Sequence, residues 1–252
     1  MKLIDVSEHQ GSIDWTKVKP NIDGAILRAG YGKGHLDLQF VLNAEACNRY
    51  SVATGAYWFS YAATPEQARD EARYLIDAVS PYRMELPLAY DFEYASAEYA
   101  QLGGTKITKS LVSDMVRSFC GEIEAAGYYV LNYANPDYLN RWLDDDVKTR
   151  YGIWLASWPA IVFSTKNPPH PCQIWQYSCK GKVDGISTKV DLNEAYLDFK
   201  SVISEAGLNH LGEKDEAEEL ARRIGILLDK PNEPVTRIEL ARALTKFKEE
   251  VT

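Results

Sequence analysis

The sequence predicts an α/β fold: a βα barrel whose last part loses its helices, followed by a small C-terminal helical hairpin. Three observations carry this. Apolar, strand-like runs recur along the first 200 or so residues. Helical patterns sit between several of them, an alternation that argues for parallel strands. Aspartates stand at or near the ends of widely separated runs, the place where a barrel of this kind gathers its chemistry.

The first strand candidates are Leu3–Val6 and Ala25–Ala29, and a helical pattern over Leu38–Tyr50 follows them. Thr54–Phe59 is the third strand. Pro65–Val79 is a helix with Thr64 as N-cap and Pro65 at its first position, where proline's missing N–H costs nothing. Leu86–Asp91 is the next strand. Lys106–Ala126 is a long helix closed by Gly127, a residue that tolerates the left-handed conformation helix ends require. Tyr128–Tyr133, Ile153–Ala156, Gln173–Tyr177 and Val190–Leu192 complete the strands, and no helix is evident between the last three. The glycine-rich stretch Gly30–Gly34 lacks the phosphate-loop pattern and reads as a turn. Residues 205–214 read as a linker between a 1–204 domain and the tail at 215–252. Asp215–Leu228 has helical apolar spacing, and Thr236-Arg237-Ile238-Glu239 is a capping-box signature that opens a second helix. About 40 residues rarely fold alone without disulfides or a metal, so this hairpin must pack on the barrel, on another copy or on a partner.

Composition limits the function. With 46% hydrophobic and 25% charged residues the chain can build a real core. A formal net charge of -8, without a Lys/Arg-rich run, argues against nucleic acid and against a membrane surface. The 16 Tyr, 6 Trp and 7 Phe supply flat apolar faces with polar tips, which suit sugar rings as well as a core. Cys47, Cys120, Cys172 and Cys179 show no metal-ligand spacing, and a Cys172–Cys179 bridge across a short turn is left open. His9, His35, His170 and His210 show none either and read as structural or exposed; no cofactor is implied. The N-terminus runs straight into polar sequence. The expectation is therefore a chain made in a cytoplasm without a signal peptide, with no segment long enough to span a membrane.

Asp91-Phe92-Glu93 is the most informative stretch. If it continues a strand, Asp91 and Glu93 share a face. Two carboxyls so close repel in a dry site, so one holds its proton near neutral pH. A protonated acid beside an ionised partner is what acetal cleavage needs. The alternative is a solvated pair at a strand end.

At this point ordered motifs resemble a family. Asp5-Val6-Ser7-Glu8-His9-Gln10-Gly11-Ser12-Ile13-Asp14-Trp15 resembles the opening of glycoside hydrolase family 25, the lysozymes often found as phage endolysins. The likeness continues through Ile26–Gly32, Gly55–Phe59, Leu88–Glu93, Ile153–Ala156, Ile174–Tyr177 and Val190–Asn193. The resemblance implies a flattened irregular barrel of eight strands with about five helices. It also implies hydrolysis of the β-1,4 bond between N-acetylmuramic acid and N-acetylglucosamine in bacterial peptidoglycan, after release from the cell that makes it. By motif position Glu93 resembles the general acid and Asp91 the carboxylate that assists the acetamido group or stabilises the cation. Asp5 and Asp191 match two further active-site carboxylates. Substrate assistance with retention is the route this favours. A non-catalytic wall-binding module and a chitinase-like hydrolase are the alternatives.

Simpler readings stand beside these. Asp5 could cap a turn with Ser7, and Asp184 competes with Asp191. Arg28 could hold an active-site carboxylate, but a structural ion pair is the favoured reading. Tyr57, Tyr133, Trp154 and Gln176 are candidates to shape a sugar groove, whereas Trp15, Trp142 and Trp158 read as packing. In the tail, Gly225-Ile226-Leu227, Pro234 and Thr236–Ala241 resemble half of an S-layer-homology module without its aromatic-Asp opening. A packing or homodimerisation hairpin is preferred there over wall targeting.

Overall fold

The computed structural model describes residues 1–159 and 167–212 of the chain. Nine strands form one sheet: β1 (Lys2–Val6), β2 (Gly24–Tyr31), β3 (His35–Leu36), β4 (Ala53–Phe59), β5 (Leu88–Asp91), β6 (Val130–Ala134), β7 (Gly152–Ala156), β8 (Ile174–Gly181) and β9 (Val190–Ala195). Eight of them close into a barrel in the order β1-β9-β8-β7-β6-β5-β4-β2, with β1 pairing back onto β2. The two-residue β3 only extends β2 as a hairpin. All eight expected strands are present, and Gly32 (φ 53°) and Gly34 (φ 73°) make the expected turn between β2 and β3.

Strand direction differs from the all-parallel expectation at one place. Strands β1, β2, β4, β5, β6, β7 and β8 run parallel, but β9 is antiparallel to both of its neighbours. Residues 182–189, between β8 and β9, are too few for a crossover, which needs a dozen or more residues. The chain therefore turns straight back. Asp191, expected at the finish of a strand, lies at the start of β9, and the reversal puts it at the same barrel end as Asp5 and Asp91.

Among the described residues there are eight α-helices, against about five expected: α1 (Trp15–Val18), α2 (Phe40–Arg49), α3 (Pro65–Val79), α4 (Tyr94–Leu102), α5 (Lys109–Ala125), α6 (Pro136–Arg141), α7 (Asp145–Arg150) and α8 (Phe199–Glu205). Thr64 caps α3 as expected, accepting from the Gln67 N–H at 3.2 Å. α5 begins at Lys109 because Thr108 caps it, accepting from Leu111. The additional helices are short, four to nine residues, below the length at which periodicity is legible. None of the described helices is long and apolar enough to cross a membrane.

The core runs between the barrel and its helices. Phe119 and Leu75 are fully buried from α5 and α3, and Trp58 and Tyr90 from the strands. Cys172 and Cys179 are free thiols, so the short-turn bridge left open above is not formed. Nor is the 205–214 stretch a free linker throughout. Asn209 is fully buried. Its amide donates to the Met84 and Leu86 carbonyls at 2.8 and 3.1 Å and accepts from the Tyr129 N–H at 2.7 Å. The barrel unit thus spans Met1–Asn209, and a second unit starts at His210. The hairpin expected over 215–252 lies outside the described residues.

Candidate active site

The parallel strands all end at one mouth of the barrel, and there the predicted residues meet. Asp5 on β1 sits directly opposite Asp191 on β9. Asp91, the last residue of β5, pairs in register with Tyr133 on β6, which pairs with Trp154 on β7. Arg28 on β2 pairs with Tyr57 on β4. Two bulges flank this ring, one between Arg28 and Gly30 and one between Gln176 and Ser178, devices that re-aim side chains beside a site. Gly30 permits the first, because a Cβ there would run into the Trp58 ring and the His35 carbonyl. The resulting cavity has a volume of about 350 Å3. Asp5, Arg28, Tyr57, Asp91, Glu93, Tyr133, Trp154, Gln176 and Asp191 all line it.

Glu93 lies just past β5, as N-cap of α4, with extended backbone (φ -120°, ψ -172°). Strand parity therefore holds through Phe92, and Asp91 and Glu93 face the cavity together. The Ser96 hydroxyl accepts from the Glu93 backbone N–H at 3.0 Å and fixes this cap.

An amide network orders the other two carboxylates. Gln176 Nε2 donates to Asp5 Oδ2 at 3.0 Å and to Asp191 Oδ2 at 3.2 Å. Its Oε1 accepts from the Tyr133 hydroxyl and the Trp158 indole, both at 3.0 Å. Asn193 Nδ2 donates to Asp5 at 2.8 Å, and Asn193 Oδ1 accepts from Trp154 Nε1 at 2.7 Å. Each indole or phenol thus fixes an amide, and each amide aims its donors at a carboxylate. The Trp154 ring makes the floor, edge-on to Tyr57 and Tyr133 at 5.8 and 4.9 Å between centroids.

Burial sets the charge states. Loss of solvent pushes the Asp5 carboxyl up to about 6, although the Asn193 and Gln176 amides pull it down. Burial, then the charges of Asp5 and Glu93, raise Asp191 to about 8. Burial, followed by repulsion from Glu93 and Asp5, holds Asp91 well above the carboxylate range. Glu93 is raised by burial and lowered by its contact with Asp91. Asp91, at 4% exposure the deeper member, is the costlier of the two to charge, and the pair titrates as one coupled unit with raised proton affinity. Asp91 Oδ1 is buried without a hydrogen-bond partner among the described residues.

Arg28 does not grip these carboxylates. Its guanidinium bonds Asp37 at 2.7 Å and pairs with Glu8 at 2.9 Å, in line with the structural ion-pair reading, and only its charge reaches Asp91.

The sequence profile of glycosyl hydrolases family 25 matches residues 4–186, which take in Asp5, Asp91, Glu93 and Gln176. The chain belongs to this family. It is similar to lysozyme M1 of Streptomyces globisporus, with 26% identity over 200 residues, 76% of this chain and 66% of that protein. Among solved structures it resembles a family 25 glycosyl hydrolase from Bacillus anthracis, with 25% identity and a TM-score of 0.65 over 81% of this chain and 92% of that one. It also resembles the modular autolysin LytC of Streptococcus pneumoniae, solved with a synthetic peptidoglycan ligand, at 28% identity and TM-score 0.64 over 76% of this chain. The chain spans only 46% of that autolysin's length.

Three residues of this family 25 chain, one lining the cavity and two bonded to its lining, were not assigned to the site from sequence. Asn193 stands two residues after Asp191 on β9, and parity alone would have placed it on the same face. His9 is exposed, as read from sequence, but it also lines the cavity, and its Nε2 lies 3.4 Å from Arg28 Nη1. Trp158, read as packing, is 54% exposed at the rim; nothing in its spacing signals this.

Proposed function

We propose that the chain is a peptidoglycan hydrolase, an N-acetylmuramidase that cuts the β-1,4 bond between N-acetylmuramic acid and N-acetylglucosamine. The observation that carries this is four carboxyls around one cavity, two of them on consecutive same-face positions at the end of β5. A binding module gains nothing from such crowding, which costs stability.

The chemistry follows from the charge states. Glycosidic cleavage needs a proton on the leaving oxygen and negative charge near the developing oxocarbenium ion. In the free enzyme the coupled Asp91–Glu93 pair retains a proton that burial and mutual repulsion hold there. Asp91 lines the cavity and offers its carboxylate as acceptor to the acetamido N–H of the sugar. That hydrogen bond favours ionised Asp91 and leaves the proton on Glu93. Glu93 then donates it to the leaving oxygen. Asp91 polarises the acetamido group, whose carbonyl oxygen attacks the anomeric carbon as the glycosidic bond breaks. Water, deprotonated by Glu93, opens the cyclic intermediate with net retention. Asp5, whose carboxyl the Asn193 and Gln176 amides pull down, stabilises the cationic centre as negative charge, with Asp191 beside it. Tyr57, Tyr133 and Trp154 bound the sugar, with Gln176 holding both aspartates.

Digestion of purified peptidoglycan followed by reducing-end analysis tests this. New N-acetylmuramic acid ends are expected. N-acetylglucosamine ends, or no release, would reject the muramidase reading, and release from chitin alone would select a chitinase-like enzyme. Glu93→Gln is expected to lower kcat by at least about 10³-fold, since it removes the general acid, with an unchanged melting curve. We also propose that residues 215–252, expected from sequence to form a hairpin, serve in packing or dimerisation. Light scattering of the full chain checks this, and a monomeric mass excludes dimerisation.

A further inference from the structure

Aromatic side chains continue out of the cavity on one side. Phe59, at the end of β4, lines the cavity wall. The Tyr61 ring stands 5.3 Å from it, edge-on, and the Tyr99 ring of α4 stands 4.8 Å from Tyr61. On the other flank Tyr31, at the end of β2, meets Tyr61 edge-on at 6.4 Å and stacks on His35 at 5.3 Å. Tyr99 is 57% exposed, and Tyr61 and Tyr31 are half-buried.

This row is rigidly seated. The Tyr61 backbone N–H donates to Glu71 Oε1 at 2.8 Å, and the Ser60 hydroxyl donates to the same carboxylate at 2.5 Å. Ser60 in turn touches the Tyr90 hydroxyl at 3.0 Å, and its N–H donates to the Asp91 carbonyl at 2.7 Å. Glu71 is only 3% exposed. Gly32, at φ 53°, leaves room for the Tyr61 ring, which a Cβ there would meet at 2.9 Å. A frame that ties Tyr61 to the strand end bearing Asp91 preorganises an aromatic face relative to the cleaved bond.

We propose that Tyr61 and Tyr99, flanked by Tyr31, form a distal subsite for N-acetylhexosamine units of the glycan strand beyond the cleaved bond. The inference rests on the glycan-hydrolase reading of the cavity. Three phenols offer the flat apolar faces and polar tips that sugar rings need, and the row is continuous with the cavity. A protein partner would need a larger apolar patch than these few rings, whose hydroxyl groups keep the face polar.

The test compares long glycan strands with a tetrasaccharide. In the full-length Tyr99→Ala variant the ratio of kcat/KM on long strands to kcat/KM on the tetrasaccharide is expected to fall about tenfold, the scale of removing one stacked ring. Tyr61→Phe, which keeps the ring, should preserve the ratio. A ratio unchanged in Tyr99→Ala overturns the subsite. If the wild-type chain cleaves no glycan, the hydrolase reading fails by itself, and binding decides the subsite. Glu93→Gln and Glu93→Gln with Tyr99→Ala are then titrated with an N-acetylglucosamine hexamer. An increase of about tenfold in Kd supports the subsite, and equal Kd values reject it.

Discussion

Asp191 faces Asp5 across the β1–β9 pair, and its burial, with the charges of Asp5 and Glu93 beside it, costs the fold. The Asp191 carboxyl has a folded value of about 8 against an ordinary 3.8. Below pH 3.8 both the folded and the unfolded chain hold this proton, so its contribution to stability is complete there. As pH rises, the unfolded chain releases the proton first. Stability is therefore lost progressively until pH passes the folded value near 8. Asp191→Asn removes the loss. It is expected to melt at the wild-type temperature at pH 3.5 and about 3–6 °C higher at pH 9, if only about 1.4 kcal/mol of that loss, a tenfold change in proton affinity, is realised. Calorimetry at the two pH values checks this, and equal melting at pH 9 would show that the crowding costs nothing. The four carboxyls were legible as residues because each stands in a motif at a strand end. Their donors were less so. Gln176 was foreseen as a groove residue, but its grip on two aspartates at once depends on a β8–β9 register that no local pattern reveals.

At the scale of elements, strands such as β1, β2, β5, β6 and β7 were legible because they are short apolar runs buried almost throughout, whereas β9's direction was not. The signal existed: residues 182–189 cannot carry a parallel crossover. Reading it would have placed Asp191 at the start of its strand and Asn193 beside it. α4 was missed because Ala95, Ala97 and Ala100 give it little apolar contrast, yet it carries both the Glu93 cap and Tyr99. Ser96 joins the helix to the chemistry, since its hydroxyl takes the Glu93 N–H and is itself fully buried. Ser96→Ala leaves that N–H without its partner. The expected cost is about 1–2 kcal/mol of stability. A fall in kcat of about tenfold should accompany it as Glu93 loses its fixed position, with KM little changed. A loss in KM alone would mean that the cap positions substrate rather than the acid.

At the scale of the whole molecule, the barrel mouth is a furrow. The carboxylates lie at its centre, Trp158 stands at the β7 rim, and the Tyr61–Tyr99 row lies past β4 and β5. Every residue assigned to it belongs to Met1–Asn209. At the opposite end from the mouth, the Asn209 amide ties the segment before β5 to the residue before β6 through three hydrogen bonds. Sequence alone set the domain boundary at residue 204, because a polar stretch with two glycines resembles a linker and one buried asparagine leaves no periodic mark. The two boundaries make different predictions. A chain ending at Asn209 should retain the specific activity of the full chain on soluble glycan fragments. A chain ending at Ala206 leaves the Met84 and Leu86 carbonyls and the Tyr129 N–H unpaired. It should lose about 3 kcal/mol, since each buried polar group left unsatisfied costs on the order of 1 kcal/mol or more. Urea titration of both chains measures the difference, with an equal m-value expected because the barrel still unfolds as one unit. Equal midpoints would place the boundary at 204 and reduce Asn209 to a surface detail.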